Sequence, residues 1–139
     1  MPDTASLVTD FAILDDLLVM ADKSNRNNFH LVDLSSHTFI ESVIKVGDGN
    51  NEINTAANST RIGKNLIVHD RSNQTVKIFD ISDLLNSQIG KEIDLSGVGE
   101  RLGYPLITDD GIYVKAYRST PLMKLALDGT ISSRLRKFS

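Results

Sequence analysis

Three histidines, two acidic pairs and one glycine-rich acidic segment carry the chemistry this chain could use. The imidazoles are His30, His37 and His69. A zinc shell needs three or four ligands at set spacings. The interval from His30 to His37 crosses a predicted turn and fits no such pattern. His69 falls in a predicted strand beside Val68, so histidines packed in strands or hydrogen-bonded at their edges are expected, not metal ligands. Serine, histidine and aspartate are all present, and a nucleophile triad can be written on paper. No Gly-x-Ser-x-Gly elbow exists to expose a serine. Asp15-Asp16 and Asp109-Asp110 are paired carboxylates. Adjacent strand residues point to opposite faces, so neither pair converges for acid–base work. Turn chemistry is expected for both.

Gly47-Asp48-Gly49-Asn50-Asn51-Glu52-Ile53 is the segment densest in polar groups. A dinucleotide fingerprint needs a third glycine and a helix start, and Glu52 stands where that glycine would be. The expectation is a tight connection between repeats, its glycines at positive φ. Asp48, Asn50 and Glu52 place oxygen ligands at alternate positions, as calcium loops do. Position six is Ile53 and position twelve is Ser59, which excludes an EF-hand. An irregular calcium site is the alternative to solvated turn residues. Arg134, Arg136 and Lys137 form a small basic end that fits a charged edge strand. Sequons at Asn58 and Asn73 matter only in a glycosylating host. No catalytic, cofactor-binding or metal residue is assigned, and no cofactor is expected.

The elements that must position these residues recur. Residues 18–22, 66–70 and 113–117 align at spacings of 48 and 47. Residues 29–33, 76–80 and 123–127 align at 47 and 47. Each segment is short and rich in Val, Ile, Leu, Phe and Tyr, and polar clusters containing Asn and Ser separate them, which reads as strands and turns. First strands fit residues 8–13, 59–63 and 105–108. Fourth strands fit 38–46, 88–95 and 130–138. Asp83-Leu84-Leu85-Asn86 offers at most one helical turn. The second strand of each copy is apolar on both faces, the pattern of a strand covered on both sides.

Four antiparallel strands repeated every 46–48 residues predict an all-β partial β-propeller of about three blades. The 139 residues form one propeller-like unit, with repeats about 7–57, 58–103 and 104–139. Closed propellers use four to eight blades. Three arrangements follow: part of a longer ring, several copies assembling into one, or an open stack. The first is the expectation, and a β-sandwich with accidental internal similarity is the competing fold. End blades expose apolar faces at residues 7–14 and 122–127, which favours self-association.

Composition limits the function classes. The chain has 15 Lys+Arg, 18 Asp+Glu and a net charge of −3, which argues against a nucleic-acid groove. Cysteine is absent, excluding disulfides and thiolate sites. The longest apolar run is five residues, too short for a spanning helix or a signal-peptide core.

Residues 29–33 followed by Gly47 to Ile53 resemble the six-bladed TolB-like propeller proteins of Bacteroides-type bacteria. That family carries a Gly-x-Gly-Pro-x-Glu-aromatic/aliphatic segment after the fourth strand of a blade, and Asn50 takes the proline position here. Gly97-Val98-Gly99-Glu100 echoes it in the second copy. The resemblance implies binding or scaffolding at the periplasm or cell envelope, without a known reaction. The signal peptide and lipid-attachment cysteine of such proteins are not seen in this sequence. The functional expectation is a non-catalytic binding module for a protein or carbohydrate ligand. The alternative is a fragment of a propeller lyase or sugar dehydrogenase.

Overall fold

The computed structural model describes residues 8–22, 26–95, 106–108, 110–114, 123–126 and 131–134. Among the described residues, twelve strands form three four-stranded sheets, each antiparallel and each made from consecutive strands. Blade 1 holds β1 (Val8–Leu14), β2 (Leu17–Asp22), β3 (Asn27–Asp33) and β4 (Thr38–Lys45). Blade 2 holds β5 (Ala56–Ile62), β6 (Asn65–Asp70), β7 (Thr75–Phe79) and β8 (Lys91–Asp94), with α1 (Ile81–Leu85) between β7 and β8. Blade 3 holds β9 (Leu106–Thr108), β10 (Gly111–Val114), β11 (Met123–Leu125) and β12 (Ile131–Arg134). The expected all-β repeat of four-stranded sheets is thus the observed architecture.

The strands follow the sequence's apolar runs, and two-residue turns join β1 to β2 and β5 to β6. Asp15 and Gly63 open the turns of blades 1 and 2 at φ 52° and 60°. Aspartate tolerates this left-handed region through local hydrogen bonding, and glycine enters it without a Cβ clash. The helical turn expected at residues 83–86 is α1. Asp80 caps it, accepting from the Asp83 N–H at 2.8 Å while Asp83 accepts from the Asp80 N–H at 3.0 Å.

Two apolar cores lie between the sheets. The first joins Leu14, Leu17, Val19, Phe29 and Leu31 of blade 1 to Leu66, Val68 and Phe79 of blade 2, with Leu84 from α1. Phe29 and Phe79 meet edge to face at 6.2 Å between ring centres, a favoured aromatic geometry. The second joins Ile67, Val76 and Ile93 of blade 2 to Ile107, Ile112, Val114, Met123 and Leu125 of blade 3. Blade 2 is therefore buried on both faces: Leu66 and Val68 point to blade 1, Ile67 to blade 3.

The third copy differs from the sequence alignment by one residue. The strand registers place Leu18, Leu66 and Ile112 as equivalents, each the second residue of its strand. His30, Lys77 and Met123 are likewise equivalent, opposite Met20, Val68 and Val114. The spacing into blade 3 is 46, not 47. A one-residue slip exchanges the two faces of a strand, so Ile112, not Tyr113, is the core residue matching Leu66. Residues 115–117 of the aligned segment, Gly97 to Glu100, Asp109, Arg136 and Lys137 lie outside the described residues, as do Leu7, Leu122 and Leu127 of the expected end faces.

Hydrogen bonds fix the crossing from blade 1 to blade 2. The buried Asn28 amide donates to the carbonyls of Ile44 and Ile53, both at 3.0 Å. Ile44 sits at φ 60° and is fully buried. A β-branched residue there is strained, so its surroundings must over-determine it. The Ile44 N–H donates to Ser87 Oγ at 3.0 Å, tying β4 to the end of α1. Cavity costs predict the consequence: Phe79→Ala loses about 3–5 kcal/mol of unfolding free energy, whereas the exposed Phe11→Ala changes it by about 0.5 kcal/mol or less. Urea titration of the two variants measures the contrast.

Candidate functional site

A polar groove of about 970 Å³ lies between blades 1 and 2. One wall is the loop between β4 and β5, with Asp48, Gly49, Asn50 and Asn51. The opposite wall is the β7–β8 surface, with Thr75, Lys77, Glu92 and Asp94. Register puts these four on one face, since Thr75 pairs with Asp94 and Lys77 with Glu92. That face looks toward blade 1, because Lys77 stands opposite Val68 of the first core. The strand order makes β8 the outermost strand of its sheet. The groove is therefore the outer, polar continuation of the apolar seam.

The walls are tied together by side chains. Asp48 Oδ1 accepts from Asn54 Nδ2 at 2.8 Å and from Asn73 Nδ2 at 3.2 Å. Asn73 Nδ2 also donates to Asp70 Oδ2 at 3.0 Å. Asn51 Oδ1 accepts from the Ile89 N–H at 2.9 Å, across to the segment leading into β8. Glu52 turns back and accepts from the Gly49 N–H at 2.8 Å. Gly47 and Gly49 have ordinary φ, which corrects the positive-φ expectation. Both lie against the Glu52 carboxylate, which occupies the space a Cβ at either position would take. Asp48 and Glu52 thus point to different partners, and their carboxylates do not converge on a common cation position. Among the described residues no group of three or more His, Asp or Glu gathers as a metal shell.

Behind the groove lies a buried ion pair. Lys77 Nζ donates to Asp70 Oδ2 at 2.9 Å and to Thr75 Oγ1 at 3.0 Å. Burial alone would raise the Asp70 carboxyl. Hydrogen bonds from Lys77, the N–H groups of Asn54 and Thr55, and Asn73 outweigh it, so the pKa lies below the ordinary carboxylate value. The pair has a counterpart in blade 1. His30 Nε2 lies 2.7 Å from Asp22 Oδ2, and His30 Nδ1 lies 2.7 Å from Ser42 Oγ. Asp22 ends β2 as Asp70 ends β6, and each reaches diagonally to the equivalent position on the next strand.

Sequence reasoning assembled a Ser–His–Asp set only on paper; the structure brings Asp22, His30 and Ser42 into one hydrogen-bonded chain. His30 is 0% exposed, and its counterpart Lys77 occupies the same place without any triad. The shared function of the position is bracing the third strand against the second. The signal in the sequence was the aspartate closing the second strand of copies one and two. What could not be read was the diagonal partner, which depends on register.

The remaining candidates lie apart. His37 is exposed in the β3–β4 turn, and Asp15 and Asp16 are exposed in the β1–β2 turn. Asp110 accepts from Lys124 Nζ at 2.8 Å and from Tyr113 Oη at 2.9 Å. The Lys124 contact leads in holding its carboxyl below the usual value. Asn73 of the second sequon is committed to Asp48 and Asp70. His69 is buried on the face of blade 2 that looks toward blade 3, and among the described residues neither ring nitrogen has a hydrogen-bond partner.

No family model matches the sequence, and no curated protein is significantly similar to it. Solved structures are similar in fold. An exported-type protein of Bacteroides fragilis matches with TM-score 0.67 at 14% identity, over 99% of this chain and 41% of that one. A DUF4221 family member from Bacteroides vulgatus matches with TM-score 0.58 at 10% identity, over 92% and 42%. The dihydro-haem d1 dehydrogenase NirN matches with TM-score 0.54 at 13% identity, over 93% and 28%. The chain spans about two fifths of the two Bacteroides proteins. These likenesses support the propeller-like fold; they do not single out the TolB-like family.

Burial pushes the His69 imidazole below its usual 6.5; Asp70 acts in the opposite direction and Arg71 adds to the depression. The unfolded chain therefore binds a proton before the folded one does. Stability is full above about pH 6.5 and falls below it, by up to about 1.4 kcal/mol per pH unit, until the depressed pKa is reached. His69→Leu removes this contribution. Between pH 6.5 and 4.5 its unfolding free energy, followed by urea titration, falls less steeply than that of the unsubstituted chain.

Proposed function

We propose that this chain is a non-catalytic binding module whose ligand occupies the groove between the β4–β5 loop and β8. The supporting observation is a concavity fixed before any ligand arrives: hydrogen bonds of Asn51, Asn54 and Asn73 hold its walls. Preorganised donors and acceptors lower the entropic cost of binding. Asn50, Lys91 and Glu92 are exposed along the rim. Amide, ammonium and carboxylate groups in an open trough suit a ligand rich in hydroxyl or amide groups, a carbohydrate or an extended peptide. The resemblance to TolB-like envelope proteins and the likeness to an exported-type Bacteroides protein support a periplasmic or envelope setting for such a module.

A propeller enzyme is the second reading, supported by the fold likeness to NirN. It places the reaction at residues drawn from several blades, with this chain supplying the frame. The Asp22–His30–Ser42 chain does not serve it, since His30 is sealed from solvent.

Backbone amide spectra decide the matter. Titration with mixed oligosaccharides and, separately, with short extended peptides should shift the resonances of residues 48–51 and 89–94. The double variant Asn50→Ala/Glu92→Ala should weaken that binding about tenfold, equivalent to about 1.4 kcal/mol, with unchanged unfolding. If neither probe class moves those amides, the groove is not the binding site.

A further inference from the structure

At the end of the blade 1–blade 2 seam opposite the groove, the β1–β2 and β3–β4 turns meet α1. The connections at this end, residues 15–16, 34–37, 63–64 and 80–90, are all among the described residues. Between them lies a hollow of about 290 Å³. Its floor is the edge of the first core, Leu14 and Leu17, and its sides are Ile40, Ile81 and Leu85. Ile40 and Leu85 are each 41% exposed, so two large apolar side chains converge on an open hollow. A β-bulge brings Ile40 there. Leu31 pairs with Glu41 and Val32 with Phe39, which leaves Ile40 as the extra residue of β4. Regular alternation would set Ile40 and Glu41 on opposite faces. A bulge re-aims a side chain, and here Ile40 lines the same hollow as Leu17. The rim on the blade 1 side is acidic, with Asp15, Asp16 and Asp33. Asp33 accepts from the Ser35 Oγ at 2.6 Å and the Ser35 N–H at 2.9 Å. These bonds hold its carboxyl below the usual value and keep it charged at neutral pH. Arg61 and Lys64 lie beyond Leu14 and Asp15, on the blade 2 side.

We propose that this hollow docks a peptide segment of a partner protein, one apolar anchor seated on Ile40 and Leu85 and a flanking Lys or Arg set against Asp16 and Asp33. Charge complementarity selects the flanking residue: carboxylates along one rim attract a basic segment and reject an acidic one. Size selects the anchor. Pockets that enclose a whole small ligand run from about 300 to 1,000 Å³. A hollow of about 290 Å³ suits one or two side chains of a segment that continues across the surface. Interface energy concentrates where such an anchor fills a pocket on the other partner. The hollow shares no lining residue with the groove, so the two sites stand or fall separately.

The test is a backbone amide titration of the 139-residue chain with the peptide acetyl-Lys-Leu-Lys-Phe-Lys-amide. Resonances of residues 15–17, 33–40 and 81–85 should shift, while those of 48–51 and 89–94 stay in place. Raising sodium chloride from about 50 to about 500 mM should weaken binding at least about threefold, because the rim charges are exposed and screened. The same peptide with Glu in place of Lys, or with Ser in place of Leu and Phe, should leave the spectrum unchanged. Leu85→Ala keeps a helix-favouring residue in α1, and Asp16→Asn keeps the size of the side chain. Each should raise Kd at least about threefold, the first by lost apolar contact and the second by lost charge, with the circular dichroism spectrum retained. Phe11→Ala, outside the hollow, should leave Kd unchanged. Three outcomes overturn the proposal: no shift at the hollow, equal binding of the Glu peptide, or octylamine binding as tightly as the Lys peptide, which would make the hollow a site for amphiphilic amines.

Discussion

The two-faced sheet is the constraint on which everything else depends. A four-stranded sheet with apolar side chains on both faces cannot be covered by water on either. At about 25 cal/mol per Å² of apolar surface removed from solvent, each fully buried Leu, Ile or Phe contributes about 1.5–3 kcal/mol. Blade 2 meets the requirement on both sides: Leu66, Val68 and Phe79 on one, Ile67, Val76 and Ile93 on the other. Its β5 lies beside β1, so the two sheets approach through their first strands. The seam changes character across the face of blade 2, from the apolar core around Leu66, Val68 and Phe79 to the polar face of Thr75, Lys77, Glu92 and Asp94. The groove opens where the face of blade 2 turns polar, at Thr75 and Lys77 of β7 and Glu92 and Asp94 of β8.

Within that frame the buried Asp70–Lys77 and Asp22–His30 pairs serve a directional purpose. Apolar contact sets how much surface is covered but discriminates poorly between adjacent registers. A carboxylate at the end of the second strand, matched to a donor two residues along the third, is satisfied in one register alone. Slipping by one residue would leave a buried charge without its partner, which costs several kcal/mol. In blade 3 the corresponding position of the third strand is Met123, and its burial among Ile112, Val114 and Leu125 is purely apolar.

These same facts explain what the sequence discloses. Apolar runs bounded by Asn, Ser and Gly are local signals, so twelve strands, one helical turn and the four-strand period are legible from residue types alone. The phase of the third copy is not. Tyr113 and Met123 look like natural matches for Leu66 and Val76, yet pairing places Ile112 opposite Leu125 and so moves the copy by one residue. Periodicity of two cannot reveal such a slip when both faces are apolar. The polar network is less legible still. Asn73 and Asp48 are 25 residues apart and touch only because the β4–β5 loop folds beside the β6–β7 turn. Gly47 and Gly49 illustrate the limit: sequence marks them as special, but the reason is the Glu52 carboxylate lying against them rather than a left-handed backbone.

The two seams of the chain are held by different physics, and this determines where a ligand can be read. Between blades 1 and 2 the hydrogen bonds Ile44–Ser87, Ser59–Asp10, Asn51–Ile89 and Asn73–Asp48 cross from one repeat to the next. Each is directional, so the relative placement of the two sheets is fixed in rotation as well as distance. What the described residues bring to the seam between blades 2 and 3 is non-directional: aliphatic side chains and the partnerless ring of His69. Burial of this kind fixes how much surface is covered rather than the direction of any polar group, and it weakens as His69 gains a proton. A recognition surface needs its polar groups held within hydrogen-bonding tolerance of one another. That condition is met on the first seam, where the fold concentrates its asparagines and where the groove opens.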